Sequence, residues 1–290
     1  MPMTRTPIAL LILLLAACGS GPRLPKTPSG PPQLEVKGAV KGGPFQLGEA
    51  DLKALPHRTV QGVDPVTGRA AAYEGVDLGA ILARVELRPG ADILVLRTAD
   101  KRAVPVPLSL VRQYRPVLAE RADGAPVEGR LVAWPSGEQR GIATDPRAIQ
   151  WWARDLTALE VVNGARVVSR ALTVPEAAPD GARIGAGVFG WRCLGCHQVR
   201  GVGGQKGPDL TRAADHVSLD ALRKLLPSHP GWIQRGLEPP PEEAPAQLHA
   251  FLRMAAAQAA LGPDGNEPPP DEEDEGRGKK QRPPPPGEED

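Results

Sequence analysis

The sequence predicts two folded units in series, an α+β N-terminal domain followed by an all-α C-terminal domain, set between an export leader and a polar tail. Three observations carry this reading. At 290 residues the chain exceeds the usual size of one domain, so two units of about 80 to 150 residues each are expected. Residues 33–175 mix short strand-like and helix-like runs, whereas residues 181–262 carry helical signals alone. Pro and Gly, 34 and 33 residues, concentrate at the two ends, which leaves the middle to fold.

Residues 1–17 form the leader. A short basic region precedes the apolar run Ile8 to Ala17, which is too brief to span a bilayer as a helix and is the pattern of an export signal. It ends in Leu15-Ala16-Ala17-Cys18, which resembles the lipobox of bacterial lipoproteins. That resemblance implies acylation of Cys18, attachment to the bilayer on the periplasmic side, and, with Gly19 where an inner-membrane lipoprotein would carry Asp, the outer membrane. The plainer alternative is an ordinary signal peptide with a chance Cys at its end. Residues 18–32 are rich in Pro and Gly and read as a flexible linker that lifts the folded part off the lipid.

In the α+β unit, Leu34 to Val40 alternates like a strand, and Leu47 to Leu55 has helical spacing and stops before Pro56. Ile93 to Arg97 and Ala103 to Pro107 flank the polar stretch Thr98 to Arg102, a hairpin pattern. Pro175 to Gly181 reads as a linker. Beyond it come a helix leading into Cys193, a Gly-rich loop, a helix from Ser218 to Leu226 with Ser218 as its N-cap and Pro227 as its stop, and a last helix from about Ala246 to Ala260. Residues 263–290 hold ten Asp/Glu against four Lys/Arg with two proline runs, the composition of a disordered acidic tail. The formal net charge is +1 and no Lys/Arg cluster interleaves with aromatics, so the sequence points away from nucleic-acid binding.

The chemistry concentrates in Cys193-Leu194-Gly195-Cys196-His197. This is the attachment pattern for c-type haem: two thiols add across the porphyrin vinyl groups and the adjoining imidazole reaches the iron. A redox dithiol with a neighbouring His would read the same over five residues. Of the three cysteines, Cys18 stands in the lipobox and the other two in this motif, so none remains for a structural disulfide.

Around the motif the chain resembles a class I cytochrome c over residues 181–262. Gly185 and Phe189 lie eight and four residues before Cys193, Phe251 lies in the last helix, and Gly207-Pro208-Asp209-Leu210 matches the family's Gly-Pro-x-Leu. The resemblance implies an all-α cytochrome c domain with one covalent haem c, helices that cross at the small Gly185, and a Pro208 carbonyl that accepts the ring N–H of the proximal ligand His197 and so orients it. The distal side departs from the pattern. Where the family carries a Met before a Pro, this chain has Leu237 and Glu238 ahead of Pro239. His229 is the candidate distal ligand and Met254 its rival, against the plainer readings of a surface His and a core-filling Met; His216 and His249 read as exposed.

Residues 33–175 resemble, over less specific motifs, the molybdopterin-binding domain of sulfite oxidase-type oxidoreductases. The matching stretches are Gly38-Ala39-Val40, Tyr73-Glu74-Gly75-Val76-x-Leu78, Ala119 to Val127, and Trp152-Ala153-Arg154-Asp155-Leu156. Catalytic relatives hold molybdenum through a thiolate, and this stretch contains no Cys, so molybdopterin is not expected. His57, Arg97, Arg102 and Arg130 are the residues that would meet a phosphate or anion, or else are ordinary surface cations. The sequence thus points to a membrane-anchored periplasmic electron-transfer protein with redox protein partners rather than to an enzyme. A haem-bearing subunit of a molybdenum-dependent oxidoreductase and a haem-based ligand sensor stand as the alternatives.

Overall fold

The computed structural model describes residues 23–136, 148–233 and 240–260. Cys18, Leu237 and Glu238 lie outside them, as do residues 1–17, read as a leader, and 263–290, read as an acidic tail. The chain enters through β1 (Leu34–Gly38), where Leu34 and Val36 face the core and Glu35 and Lys37 turn away, the period of a half-buried strand. After β2 (Phe45–Leu47) comes α1 (Glu49–Lys53). The helix-like run at 47–55 is therefore split: Leu47 closes a strand, and the helix begins after Gly48, whose N–H donates to the Asp51 carboxylate at 2.8 Å.

Next follow β3 (His57–Val63), β4 (Ala70–Asp77) and α2 (Leu78–Leu82). The buried Asp77 caps α2 by accepting from Gly79 N–H at 2.8 Å and takes a second partner in Arg115, so its carboxylate is not left alone in the core. The hairpin β5 (Ile93–Thr98) and β6 (Ala103–Pro107) forms where the apolar runs place it, and α3 (Leu108–Tyr114), β7 (Val117–Ala122) and β8 (Ala125–Ala133) complete that stretch. After α4 (Ala148–Trp151), β9 (Leu156–Val162) returns to the centre of the first sheet, whose order is β2-β1-β9-β5-β6. A second, antiparallel sheet runs β3-β4-β7-β8. Leu94, Leu96, Leu131, Trp134 and Leu159 belong to the one apolar cluster that both sheets share.

A second cluster holds the rest of the chain. α5 (Gly164–Ala171) ends in it through the buried Ala171, and Leu172, Val174 and Ile149 pack on its side. Here α6 (Asp180–Arg192) and α9 (Ala244–Ala260) cross, with the rings of Phe189 and Phe251 5.3 Å apart. α7 (Leu219–Leu225) and the short α8 (Pro230–Ile233) lie between them in sequence, and Ser218 caps α7 by accepting from Ala221 N–H at 3.2 Å.

One expectation fails. The C-terminal part is not all-α: β10 (Gln198–Val199) and β11 (Val202–Gly203) pair antiparallel directly after the Cys-x-x-Cys-His motif, giving three sheets among the described residues. Strands of two residues fall below the four-residue run that reads as a strand in sequence. The hairpin closes because Arg200 and Gly201 both take positive φ, 51° and 72°, the geometry of a two-residue turn matched to strand twist. The chain is mixed α and β in both parts.

The α6/α9 crossing makes a sharp stability test. A Cβ at Gly185 would run into the Gln247 carbonyl oxygen and come within 3.0 Å of Phe251 Cβ, whereas at Gly187, two residues on, it would meet nothing. Ala in an exposed helix interior is favoured over Gly by about 1 kcal/mol, while forcing a methyl into a packed crossing costs about 1–3 kcal/mol. Gly187→Ala is thus expected to raise the denaturant midpoint and Gly185→Ala to lower it. A midpoint raised by both would show that the helices cross elsewhere.

Candidate functional site

The motif is built off the C-terminus of α6. Cys193 is the last helical cap, its N–H donating to Phe189 O at 2.8 Å, and the chain then tightens: Cys196 N–H and His197 N–H both donate to Cys193 O, at 3.0 and 2.9 Å. One turn therefore gathers both thiols and the imidazole, with the two cysteines buried and unbridged.

The loop after the β10–β11 hairpin folds back to hold His197. Gly204 N–H donates to Leu194 O and Gly207 N–H to Cys196 O, each at 2.9 Å. Pro208 follows, and its carbonyl oxygen stands 2.9 Å from His197 Nδ1. A carbonyl only accepts, so Nδ1 carries the proton and Nε2 keeps its lone pair for a metal. The ring lies flat on the backbone: a Cβ at Gly207 would sit 2.5 Å from its Nδ1 and 2.8 Å from its Nε2.

Across from it is the second imidazole. The His197 and His229 rings are 5.9 Å apart between centroids, with 61° between their planes. His229 Nδ1 accepts from Gly231 N–H at 3.2 Å. Met254 lies half-buried on α9, His249 half-buried on the same helix, and His216 exposed after the 3₁₀ turn Ala213–Asp215. Cys193, Cys196, His197, Pro208 and His229 are thus the site residues that this region gathers.

The residues fit a haem of the c type. The donor set is two neighbouring thiols and one imidazole whose coordinating nitrogen is fixed by its partner, and the Gly207 cradle gives the ring room to stand in one orientation. A buried indole nitrogen at Trp191, two residues before Cys193, has no hydrogen-bond partner among the described residues, and the Arg192 guanidinium lies 4.5 Å from that ring's centroid. Among the described residues no group of three or more His, Cys, Asp or Glu side chains would hold a bare metal ion.

The first unit grips this loop through the tip of the β5–β6 hairpin. Ala103 N–H donates to Gly195 O at 2.9 Å and Gln205 N–H donates to Lys101 O at 2.8 Å, while from α4 Gln150 Nε2 donates to Trp191 O, near the end of α6, at 2.8 Å. Asp100 is the hub. It takes Lys206 Nζ at 2.8 Å, Arg102 Nε at 3.0 Å and the Thr98 hydroxyl at 2.5 Å. Burial pushes its carboxyl up, but the hydrogen bonds from Lys206, Thr98 and Arg102 and the charge of Arg102 outweigh burial and hold it well below the usual carboxylate range. Nothing in the sequence marks Asp100 beyond its place in a polar hairpin tip, because its partner Lys206 is 106 residues away.

The cations singled out for anion contact in the first unit are mostly committed to the fold. Arg97 pairs with Glu160 at 2.6 Å, Arg130 bonds Gln33 and the Leu156 carbonyl, and His57 lies between the Leu55 carbonyl and Glu120. Arg102, likewise paired with Asp100, also lines a cavity beside Cys196. Among the described residues no helix is long and apolar enough to cross a membrane.

No protein-family profile matches the chain, and no curated protein does. Among solved structures it is similar to the sulfane dehydrogenase SoxCD of Paracoccus pantotrophus, at 18% identity and a TM-score of 0.37, over 45% of this chain and 38% of that one. The chain spans less than two-fifths of that protein's length, and a likeness of this degree assigns neither fold nor activity.

Proposed function

We propose that this chain is a lipid-anchored electron carrier of the bacterial cell envelope, with one covalent haem in its second unit. The observation that carries the reading is the His197 Nδ1 to Pro208 carbonyl hydrogen bond one turn from two neighbouring thiols. Cys193 and Cys196 would each add S–H across a vinyl double bond, a step that loses no atom and needs no oxidant. The haem supplies a one-electron couple. The protein's own residues do the rest: Pro208 keeps the His197 ring in one tautomer and orientation, Gly207 leaves it room, and the buried thiols hold the group in register. The first unit, lacking a thiolate for molybdenum, serves in this reading as the support that clamps the haem loop. Cys18 holds the assembly to the periplasmic face of the outer membrane.

His229 is assigned to the distal side. It would be the residue to close that side, because the chain brings its ring to 5.9 Å from the His197 ring between centroids. One observation favours a second reading, a haem that binds small gaseous ligands. His229 Nδ1 accepts from Gly231 N–H, which in the neutral ring puts the proton on Nε2, so coordination through Nε2 requires that bond to be given up. Spectra separate the two. A six-coordinate low-spin ferric haem is expected in the wild type, with His229→Ala turning high-spin and binding carbon monoxide as soon as it is reduced. Carbon monoxide taken up equally fast by wild type and His229→Ala would overturn the distal assignment, and loss of low spin in Met254→Ala alone would pass it to Met254.

The anchor has its own test. Cys18→Ser is expected to release the protein from membranes and to abolish incorporation of labelled fatty acid, because each buried acyl methylene contributes about 0.8 kcal/mol and no described helix replaces it. Full membrane retention of that variant would remove the anchor from the reading.

A further inference from the structure

We propose that the junction between the two units is a binding site for one small anion, a carboxylate or a compact oxyanion. The cavity there holds about 160 Å³, and Arg102, Arg154, Lys206, Trp152 and Cys196 line it. That is room for roughly five waters, or an anion of a few heavy atoms. Three of the lining side chains are cations and none is a carboxylate.

The ion pairs behind the wall leave this charge incompletely matched. Arg102 uses only its Nε on Asp100, at 3.0 Å to each carboxylate oxygen, so both of its terminal NH₂ groups engage no acceptor among the described residues. Lys206 shares the same Asp100, and Arg154 gives one terminal nitrogen to the buried Asp64. Three cations thus face two carboxylates, which leaves one positive charge over. The Arg102 side chain is only 16% exposed and shares its one carboxylate partner, Asp100, with Lys206, so a second anion at its free end would be favoured. A guanidinium end with two free NH₂ groups meets a carboxylate or oxyanion in two parallel hydrogen bonds, a geometry that chloride cannot use. The elements that converge here come from both units, so the site exists only when the β5–β6 tip is docked on the haem loop.

Cys196, a haem thioether in the reading above, and Gly231, two residues after His229, also line the cavity, so the site rests on that reading; calorimetry is run on the full-length chain with its haem attached, and a haem stain of the same sample tests that reading by itself. Acetate and sulfate are titrated at low ionic strength, with sodium chloride at matched ionic strength as the control. Saturable one-to-one binding of at least one of the two is expected, with chloride at least about tenfold weaker. Arg102→Gln and Arg154→Gln should each weaken the binding about tenfold or more, the loss of a charge-assisted hydrogen-bond donor, while Arg166→Gln on the exposed face of α5 should leave it unchanged. Lys206→Gln, on the rim at 41% exposure, gives a weakened site should an arginine variant fail to fold. Absence of saturable binding in the wild type, equal binding of chloride, or full affinity in both Arg102→Gln and Lys206→Gln would overturn the site.

Discussion

A chain in which Cys193 and Cys196 are both alanine is expected to carry no covalent haem, against one per chain in the wild type. The loss is complete rather than graded because thioethers at these two residues are the only covalent links that the motif offers, and the third cysteine, Cys18, lies outside it. The experiment is a haem stain on a denaturing gel beside an iron determination. Its value lies in the competing chemistry of the same residues. Cys193 and Cys196 are unbridged and one turn apart beside an imidazole, an arrangement that a redox dithiol shares. A dithiol needs a thiolate and an accessible sulfur for exchange, yet both sulfurs here belong to buried residues. Haem stain persisting in the double variant would sink the assignment. A wild type without stain that cycles between dithiol and disulfide would establish the rival.

How much of this could be read from the residues depends on the range over which each signal acts. The β5–β6 hairpin, the Ser218 cap and the alternation of Leu34 and Val36 are local, set by side chains a few positions apart, and they lie where the sequence places them. The β10–β11 pair is also local but too short to register, and with it went the expectation of an all-α second part. The split of residues 47–55 into strand and helix turned on one cap, Gly48 with Asp51, inside a run whose apolar spacing suits either state.

Long-range features were opaque for a different reason. Asp100 and Lys206, or Ala103 and Gly195, meet only because the first unit docks on the loop that follows the Cys-x-x-Cys-His motif, and no spacing in one sequence encodes a meeting of residues about a hundred positions apart. Of the cavity's cations only Arg102 stood out beforehand. Arg154, although inside the stretch Trp152 to Leu156, and Lys206 were not marked as anion contacts, because nothing local distinguishes a single cation that will face a cavity. The Cys-x-x-Cys-His motif stood out because it sets chemically distinctive residue types at fixed short spacing within five consecutive positions. His229 carries no such mark, because its nearness to His197, 5.9 Å between ring centroids, is set by where the chain returns in space.

Gly207→Ala is the other substitution expected to have a large effect, through the proximal imidazole alone. The added methyl would lie 2.5 Å from His197 Nδ1 and 2.8 Å from Nε2, distances that no relaxed structure tolerates, so either the ring or the loop must move. The loop is held from behind, because Gly207 N–H donates to Cys196 O at 2.9 Å and Lys206 is tied to Asp100. The ring is held by Pro208, whose carbonyl bond at 2.9 Å sets both tilt and tautomer. Displacing the ring therefore costs that hydrogen bond, about 1 kcal/mol, in addition to the about 1–3 kcal/mol of overpacking, and it swings Nε2 away from the direction it holds. The thiols are untouched, so the haem should stay attached while the iron loses its proximal nitrogen. The expected result is a haem stain of wild-type intensity together with a high-spin ferric spectrum and a stability loss of about 2–4 kcal/mol by denaturant. Gly187→Ala, where the methyl meets nothing, supplies the control in the same unit. A low-spin spectrum unchanged by Gly207→Ala would mean that His197 does not bind through the face the structure gives it, and that the imidazole on the iron comes from elsewhere.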